Sequence, residues 1–174
     1  HDEFVPQVTY ESLFERLRAG FAIADVDHPW VNAEYDWYSR HPEYLVRVFE
    51  RGSRYLHYIT TEVDRRGIPL EIALLPVVES AFNPFAYSRS RAAGLWQFIA
   101  PTATYFELER NWWQDQRRDV LESTRAACDY LQYLHGVFEG DWLLAVAAYN
   151  FGSLNVRRAV DRNRAAGRPT DFFS

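Results

Sequence analysis

The run LLPVVESAFNPFAYSRSRAAGLWQFIAPT, residues 74–102, decides how the rest of the chain is read. It sets one carboxylate, Glu79, at the end of the apolar residues Leu74, Leu75, Val77 and Val78. Desolvating an ionised carboxylate is costly, so a Glu here either stays at the surface or is buried with a raised pKa and kept protonated. The second alternative makes an acid. Pro69 opens the helical segment that leads to Glu79, and Pro76 inside it predicts a kink or a split. From 80 to 93 the density of Ser, Asn, Pro and small residues predicts a loop passing over the end of that helix. Residues 94–99 are apolar apart from Gln97, and Pro101 followed by Thr104, Tyr105 and Leu108 predicts a further helix.

Outward from this stretch the chain reads as helices joined by short polar links. Thr9 is expected to cap a helix carrying Tyr10, Leu13, Phe14 and Leu17, and Gly20 to end it. Residues 21–30 read as a connecting loop, and Tyr35 and Tyr38 as a short helix beginning near Asn32. Pro42 suits the first turn of a longer helix with Tyr44, Leu45, Val48 and Phe49, broken at Gly52 and resumed by Tyr55, Leu56, Ile59 and Val63 up to a cap at Gly67. This aromatic stripe has helical spacing and is read as core rather than as a ligand platform. Toward the C-terminus, Asp119 and Glu122 have capping-box spacing ahead of a helix through Leu121, Cys128, Leu131 and Leu134 to Gly136. Asp141 caps the apolar WLLAVAAYN, Gly152 closes it, and a last helix is expected over 153–164. No alternating strand pattern of convincing length and no internal repeat occurs. The chain is all-α by pattern.

A length of 174 residues with 48% hydrophobic and 17% aromatic content fits one globular domain and excludes disorder. A net charge of -5 argues against nucleic acid as a partner, since phosphate binding needs clustered cations. The pairs Arg65-Arg66, Arg117-Arg118 and Arg157-Arg158 read instead as solvated helix ends. Cys128 stands alone, so no intramolecular disulfide or cysteine-based zinc site is expected; it reads as a small core residue. No run reaches the length of a membrane span. The missing initial Met suggests a processed chain or an excised piece whose targeting segment is already gone. His1, His28, His41, His57 and His135 lack metal-motif spacing and no glycine loop could cradle a phosphate, so neither metal nor cofactor is expected.

The ordered set VESAFNPFAYSRSRAAGLWQFIAPT, then RRDV at 117–120, then GDWLLAVAAYNFG at 140–152, resembles the catalytic domain of bacterial lytic transglycosylases, in particular their membrane-bound D group. The similarity covers at least residues 35–160. It implies a lysozyme-like (goose-type, SLT) helical fold with a glycan-binding cleft, preceded here by an N-terminal helical extension over 1–34 packed on a catalytic domain over 35–174. It also implies peptidoglycan glycan strands as partner, with protein partners left unknown. The implied location is the periplasm, with outer-membrane association in the full-length protein. The implied reaction cleaves the β-1,4 bond between N-acetylmuramic acid and N-acetylglucosamine without adding water, leaving a 1,6-anhydro end.

By the same resemblance Glu79 matches the catalytic acid, which then serves as base for the muramyl C6 hydroxyl. Ser88 matches a serine near the substrate acetamido group, Gln97 a residue that hydrogen-bonds sugar or orients the site, and Tyr149 a tyrosine whose hydroxyl contacts the acid or the acetamido group. Gly94 is expected to let backbone approach the sugar. Ser80 fixes the loop or merely caps, Trp96 and Phe98 wall the cleft or lie in the core, and Asn150 binds substrate or ends its helix. An upward-tuned Glu79 is expected by analogy with the acid of lysozyme. Ordinary glycosidases pair two carboxylates, and the central stretch holds only Glu79. Glu107, Glu109, Asp115, Asp119 and Asp141 are the remaining candidates, with Asp119 and Asp141 better read as caps. A lysozyme-type hydrolase and a noncatalytic peptidoglycan-binding domain are the alternatives. In the family a further tyrosine-containing motif follows the region of 169–172, and small peptidoglycan-binding repeats commonly come after it. An isolated catalytic domain with one cleft wall lacking is therefore expected.

Overall fold

The computed structural model describes residues 12–174; Thr9 and Tyr10 lie outside the described residues. Helix α1 (Leu13–Ala19) starts at Ser12, whose hydroxyl accepts from the Glu15 N–H while the Glu15 carboxylate accepts from the Ser12 N–H. Helix α2 (Pro29–Arg40) begins three residues earlier than expected, because Pro29 takes the first turn and the His28 ring accepts from the Trp30 N–H. It runs without interruption across residues 34 and 35.

Helix α3 (Pro42–Arg65) passes straight through Gly52, where a break was expected. The glycine answers a packing demand: a Cβ at this position would lie 2.5 Å from the ring of Phe82, which is wholly buried against it. Beyond α3, Gly67 adopts a φ of 65°, the left-handed turn that ends helices. The proline-bracketed segment splits, as Pro76 predicts, into a 3-10 turn (Leu70–Leu74) and α4 (Leu75–Ser80), with Pro76 in the first turn of α4.

The remaining helices are α5 (Ala100–Tyr105), α6 (Val120–Val137), α7 (Trp142–Phe151) and α8 (Ser153–Ala165). Among the described residues there is no strand, only isolated bridges such as Ala93 with Phe98. Asp119 and Asp141 cap α6 and α7, accepting from the Glu122 and Leu144 N–H groups at 2.8 and 3.0 Å. Half of the expected box at α6 forms, because the Glu122 carboxylate turns to Arg125 instead.

The stripe of α3 is core: Val48, Leu56, Ile59 and Val63 pack with Leu17 of α1, Ile72 and Val77 before Glu79, and Leu131 of α6. Cys128 is fully buried in the same cluster, and burial pushes its thiol up to about 12. Leu134, Phe138, Ala145 and Ala148 form a second, smaller cluster joining α6 to α7. Two of the arginine pairs correct the reading as solvated ends. Arg66 bridges α3 and α6 through Glu62 at 2.7 Å and Asp129, and Arg117 is only 3% exposed. The buried guanidinium donates to the Arg91 carbonyl at 2.9 Å and, at 3.1 Å, to the Phe98 carbonyl, which also accepts from the Ala93 N–H of the isolated bridge.

Gly52→Ala is expected to destabilise the fold. Alanine improves helix propensity by about 1 kcal/mol, but overpacking a core ring costs about 1–3 kcal/mol. Urea unfolding should therefore show a net loss of stability; an unchanged or raised midpoint would mean that Phe82 is free to move aside.

Candidate active site

Glu79 stands on the last turn of α4, one residue before the chain reverses. The reversal uses two successive left-handed residues, Ala81 at φ 49° and Phe82 at φ 55°, conformations that cost non-glycine residues on the order of 1–3 kcal/mol each. Burial of the Phe82 ring against Gly52 offsets part of this cost, and Arg51 donates to the Ala81 carbonyl at 2.9 Å. The Glu79 backbone is thus anchored to α3 on the far side of the turn.

The returning loop is tied down by polar groups that point into protein. The Ser80 hydroxyl lies 2.9 Å from the Leu95 carbonyl and 3.2 Å from that of Pro76, and its single hydrogen can serve one at a time. Trp96 is fully buried, its indole N–H donating to the Thr124 hydroxyl at 3.0 Å. The Tyr149 hydroxyl donates to the Trp96 carbonyl at 2.6 Å, joining α7 to the loop. Gln97 sits at φ 51° with its amide nitrogen donating to the Gly94 carbonyl at 2.8 Å. Arg117 holds the loop from beneath and is itself held by Asp115 at 2.6 Å.

These ties leave a cleft of about 460 Å³ in front of Glu79. Of the residues singled out in the sequence, Glu79, Ser88, Gln97, Phe98, Tyr149 and Asn150 line it. Ser80, Gly94 and Trp96 do not. Gly94 has no side chain for a different reason than approach to a ligand: at φ 85° a Cβ would overlap the Arg117 carbonyl oxygen. Trp96 lies behind the cleft as core and contributes its carbonyl to Tyr149, whereas Phe98 is both core and wall. Asn150 does not end its helix, which continues to Phe151.

Tyr130, Thr102, Ile99, Ser90 and Phe151 also line the cleft and were not anticipated. The signal for Tyr130 was present in the spacing: Tyr130 and Tyr133 sit one position ahead of the core residues Leu131 and Leu134. That offset turns them to the neighbouring helix face.

No second carboxylate is among the lining residues. Asp119 and Asp141 are caps, Asp115 pairs with Arg117, and Glu107 and Glu109 border a separate surface hollow beside Arg110. Burial pushes the Glu79 carboxyl up to about 7, with no cation offsetting the desolvation. The Tyr149 phenol is raised well above its usual range, first by burial and then by the charge of Glu79, so it stays a neutral donor.

The family model described as "Transglycosylase SLT domain" matches residues 57–172, a segment that contains every residue of this cleft. The chain belongs to the transglycosylase SLT domain family. This SLT domain is 46% identical over 137 residues to membrane-bound lytic murein transglycosylase D of Escherichia coli (strain K12), an alignment covering 79% of the chain and 30% of that relative. It is also 46% identical over 122 residues to a putative tributyltin chloride resistance protein of Alteromonas sp. (strain M-1), covering 70% and 59%. Membrane-bound lytic murein transglycosylase C of Pectobacterium atrosepticum is 32% identical over 133 residues, covering 68% and 37%. The chain therefore spans about a third of the length of the named transglycosylases. No helix among the described residues is long and apolar enough to cross a membrane.

A buried carboxyl with a raised pKa makes the SLT domain less stable when it ionises. Below about pH 4.5 Glu79 is protonated in both folded and unfolded chains and stability does not depend on it. Between about 4.5 and about 7 the unfolded chain releases this proton first, so stability falls as pH rises. Glu79→Gln should accordingly raise the unfolding midpoint at pH 8 and leave it nearly unchanged at pH 4. An equal effect at both pH values would show that the carboxyl is not desolvated.

Proposed function

We propose that this SLT domain is a peptidoglycan lytic transglycosylase in which Glu79 is the single acid and base. The observation that carries this reading is one carboxyl, raised to about 7 by burial, in a cleft lined by no other carboxylate. Near neutral pH a substantial fraction of Glu79 carries its proton, and the acid needs no second carboxylate if the nucleophile belongs to the substrate.

The protonated Glu79 transfers its proton to the glycosidic oxygen as the bond from muramyl C1 to that oxygen breaks, and the N-acetylglucosamine side leaves with a free hydroxyl. Charge developing at C1 is stabilised by the neighbouring 2-acetamido group. The Glu79 carboxylate then takes the proton of the muramyl C6 hydroxyl while its oxygen bonds to C1, closing the 1,6-anhydro ring and restoring the acid. No water is consumed. The C6 hydroxyl is intramolecular, which gives it an effective concentration that solvent water does not match.

The neutral groups of the cleft suit this chemistry. With its amide nitrogen committed to the Gly94 carbonyl, Gln97 offers its side-chain oxygen as an acceptor. Tyr149 gives its hydrogen to Trp96 and keeps its oxygen as an acceptor for the protonated acid or a sugar amide. Ser88 and Asn150 supply further polar contacts and Phe98 an apolar wall. The substrate is the glycan strand of the bacterial envelope, placing the protein in the periplasm, with outer-membrane association supplied by other parts of a full-length protein. In this reading residues 35–174 form the catalytic domain and residues 1–34 an N-terminal extension, whose described part, from residue 12 on, packs on it. Arg16 pairing with Asp64 at 2.7 Å and the Leu70 N–H donating to Gly20 support that packing.

Digestion of purified peptidoglycan with mass-spectrometric analysis of the fragment ends tests the proposal. Anhydro-muramyl ends are expected. Reducing ends would assign the domain to hydrolysis, and intact strands would leave glycan binding without chemistry. Glu79→Gln should lower cleavage by about 10²- to 10⁴-fold, the usual contribution of a general acid; undiminished cleavage would place the acid elsewhere.

A further inference from the structure

A series of aromatic ring contacts leads outward from the cleft wall. Thr102 on α5 and Tyr130 on α6 both line the cleft, and about one helical turn further along the same two helices stand Tyr105 and Tyr133, with Phe106 directly after the end of α5. These rings are in continuous contact with the cleft: Tyr149 lies 5.2 Å from Tyr130, Tyr130 lies 4.9 Å from Phe106, and Phe106 lies 5.0 Å from Tyr105 and 6.3 Å from Tyr133. The track surfaces where Tyr105 and Tyr133 approach to 6.4 Å from two different helices. Tyr105 is 70% exposed and Tyr133 is 50% exposed. Phe106 beneath them is half-buried and packs on the main core cluster, so the two outer rings rest on a fixed base.

Two neighbouring tyrosines on different helices, both open to water and joined by ring contacts to the cleft wall, call for an occupant. Tyrosine presents a flat apolar face with a polar tip and loses little side-chain freedom on binding, which suits the C–H faces and hydroxyl edges of a neutral pyranose. Every ring in the track is uncharged, so no ionic partner is selected. We infer that Tyr105 and Tyr133 form an outer glycan platform, continuous with the cleft, that stacks on sugars several units away from the scissile bond and makes the domain favour long strands over short fragments. The inference rests on the reading of the cleft as a peptidoglycan site. Both tyrosines are binding residues with no part in the chemistry.

The test measures binding separately from cleavage. In a Glu79→Gln background, peptide-free glycan strands and a disaccharide-sized fragment are titrated against the domain with and without Tyr105→Ala and Tyr133→Ala together. Long strands are expected to bind about ten-fold more weakly to the double variant, in line with two lost aromatic contacts, while the short fragment binds equally. Tyr105→Phe with Tyr133→Phe, which keeps both faces, should restore the strand affinity, and thermal unfolding should confirm that all variants are folded. Equal strand binding with and without the tyrosines would overturn the platform, as would equal loss for strand and fragment. If the unaltered domain fails to cleave strands yet loses strand affinity with the tyrosines, the catalytic reading falls and the platform stands.

Discussion

A carboxyl group that is buried without a cation is the constraint around which this domain is arranged. Glu79 is desolvated at the end of α4, and nothing nearby neutralises its charge. Such a group can be held in place only by fixing the backbone that carries it, because its own side chain has no partner to lock it. The structure does this from both sides. Arg51 and Gly52 of α3 hold the left-handed turn at Ala81 and Phe82, and Ser80, Trp96 and Tyr149 hold the loop that returns past it. Each neutral hydrogen bond contributes about 1 kcal/mol net. The strongest single tie is Arg117, since breaking a buried ion pair by removing one partner costs about 3–5 kcal/mol. Its guanidinium serves Asp115 and two loop carbonyls at once.

The same arrangement explains why the site is built from strained and awkward positions. Ala81, Phe82 and Gln97 all adopt positive φ without being glycine, and all belong to the segment around the cleft. Strain of this kind persists only where the surroundings over-determine it. The fully buried Phe82 and the doubly anchored Gln97 meet that condition. A fold optimised for stability alone would have replaced the unpaired acid by an apolar residue. Its retention marks where stability is given up for chemistry.

Much of this was legible in the sequence because it follows from local rules. Helix starts at Asp119 and Asp141, the split at Pro76, the stop at Gly67 and the apolar stripe of α3 are each written in a few neighbouring residues. What was not legible depends on partners distant in the chain. Gly52 looked like a helix breaker because its reason, Phe82, is 30 residues away and folds back only after the left-handed turn. Arg117 looked solvated because the carbonyls it satisfies belong to a loop whose path no periodicity describes. Gly94 was expected to let backbone approach the sugar, whereas the atom packed against it is the Arg117 carbonyl oxygen. Trp96 and Phe98 are both buried and stand two residues apart, and only the geometry of the turn between them leaves Trp96 wholly in the core while Phe98 also walls the cleft. Glu79 itself stood out because an ionisable residue at the end of an apolar run is unusual whatever lies around it.

The central claim is that burial alone keeps Glu79 protonated near neutral pH. A ¹³C NMR titration of the side-chain carboxyl, assigned by the signal that disappears in Glu79→Gln, measures this directly on the folded domain. The account predicts a midpoint of about 7. A midpoint near the ordinary value of 4.5 would contradict it, leaving a surface carboxylate where the acid should be.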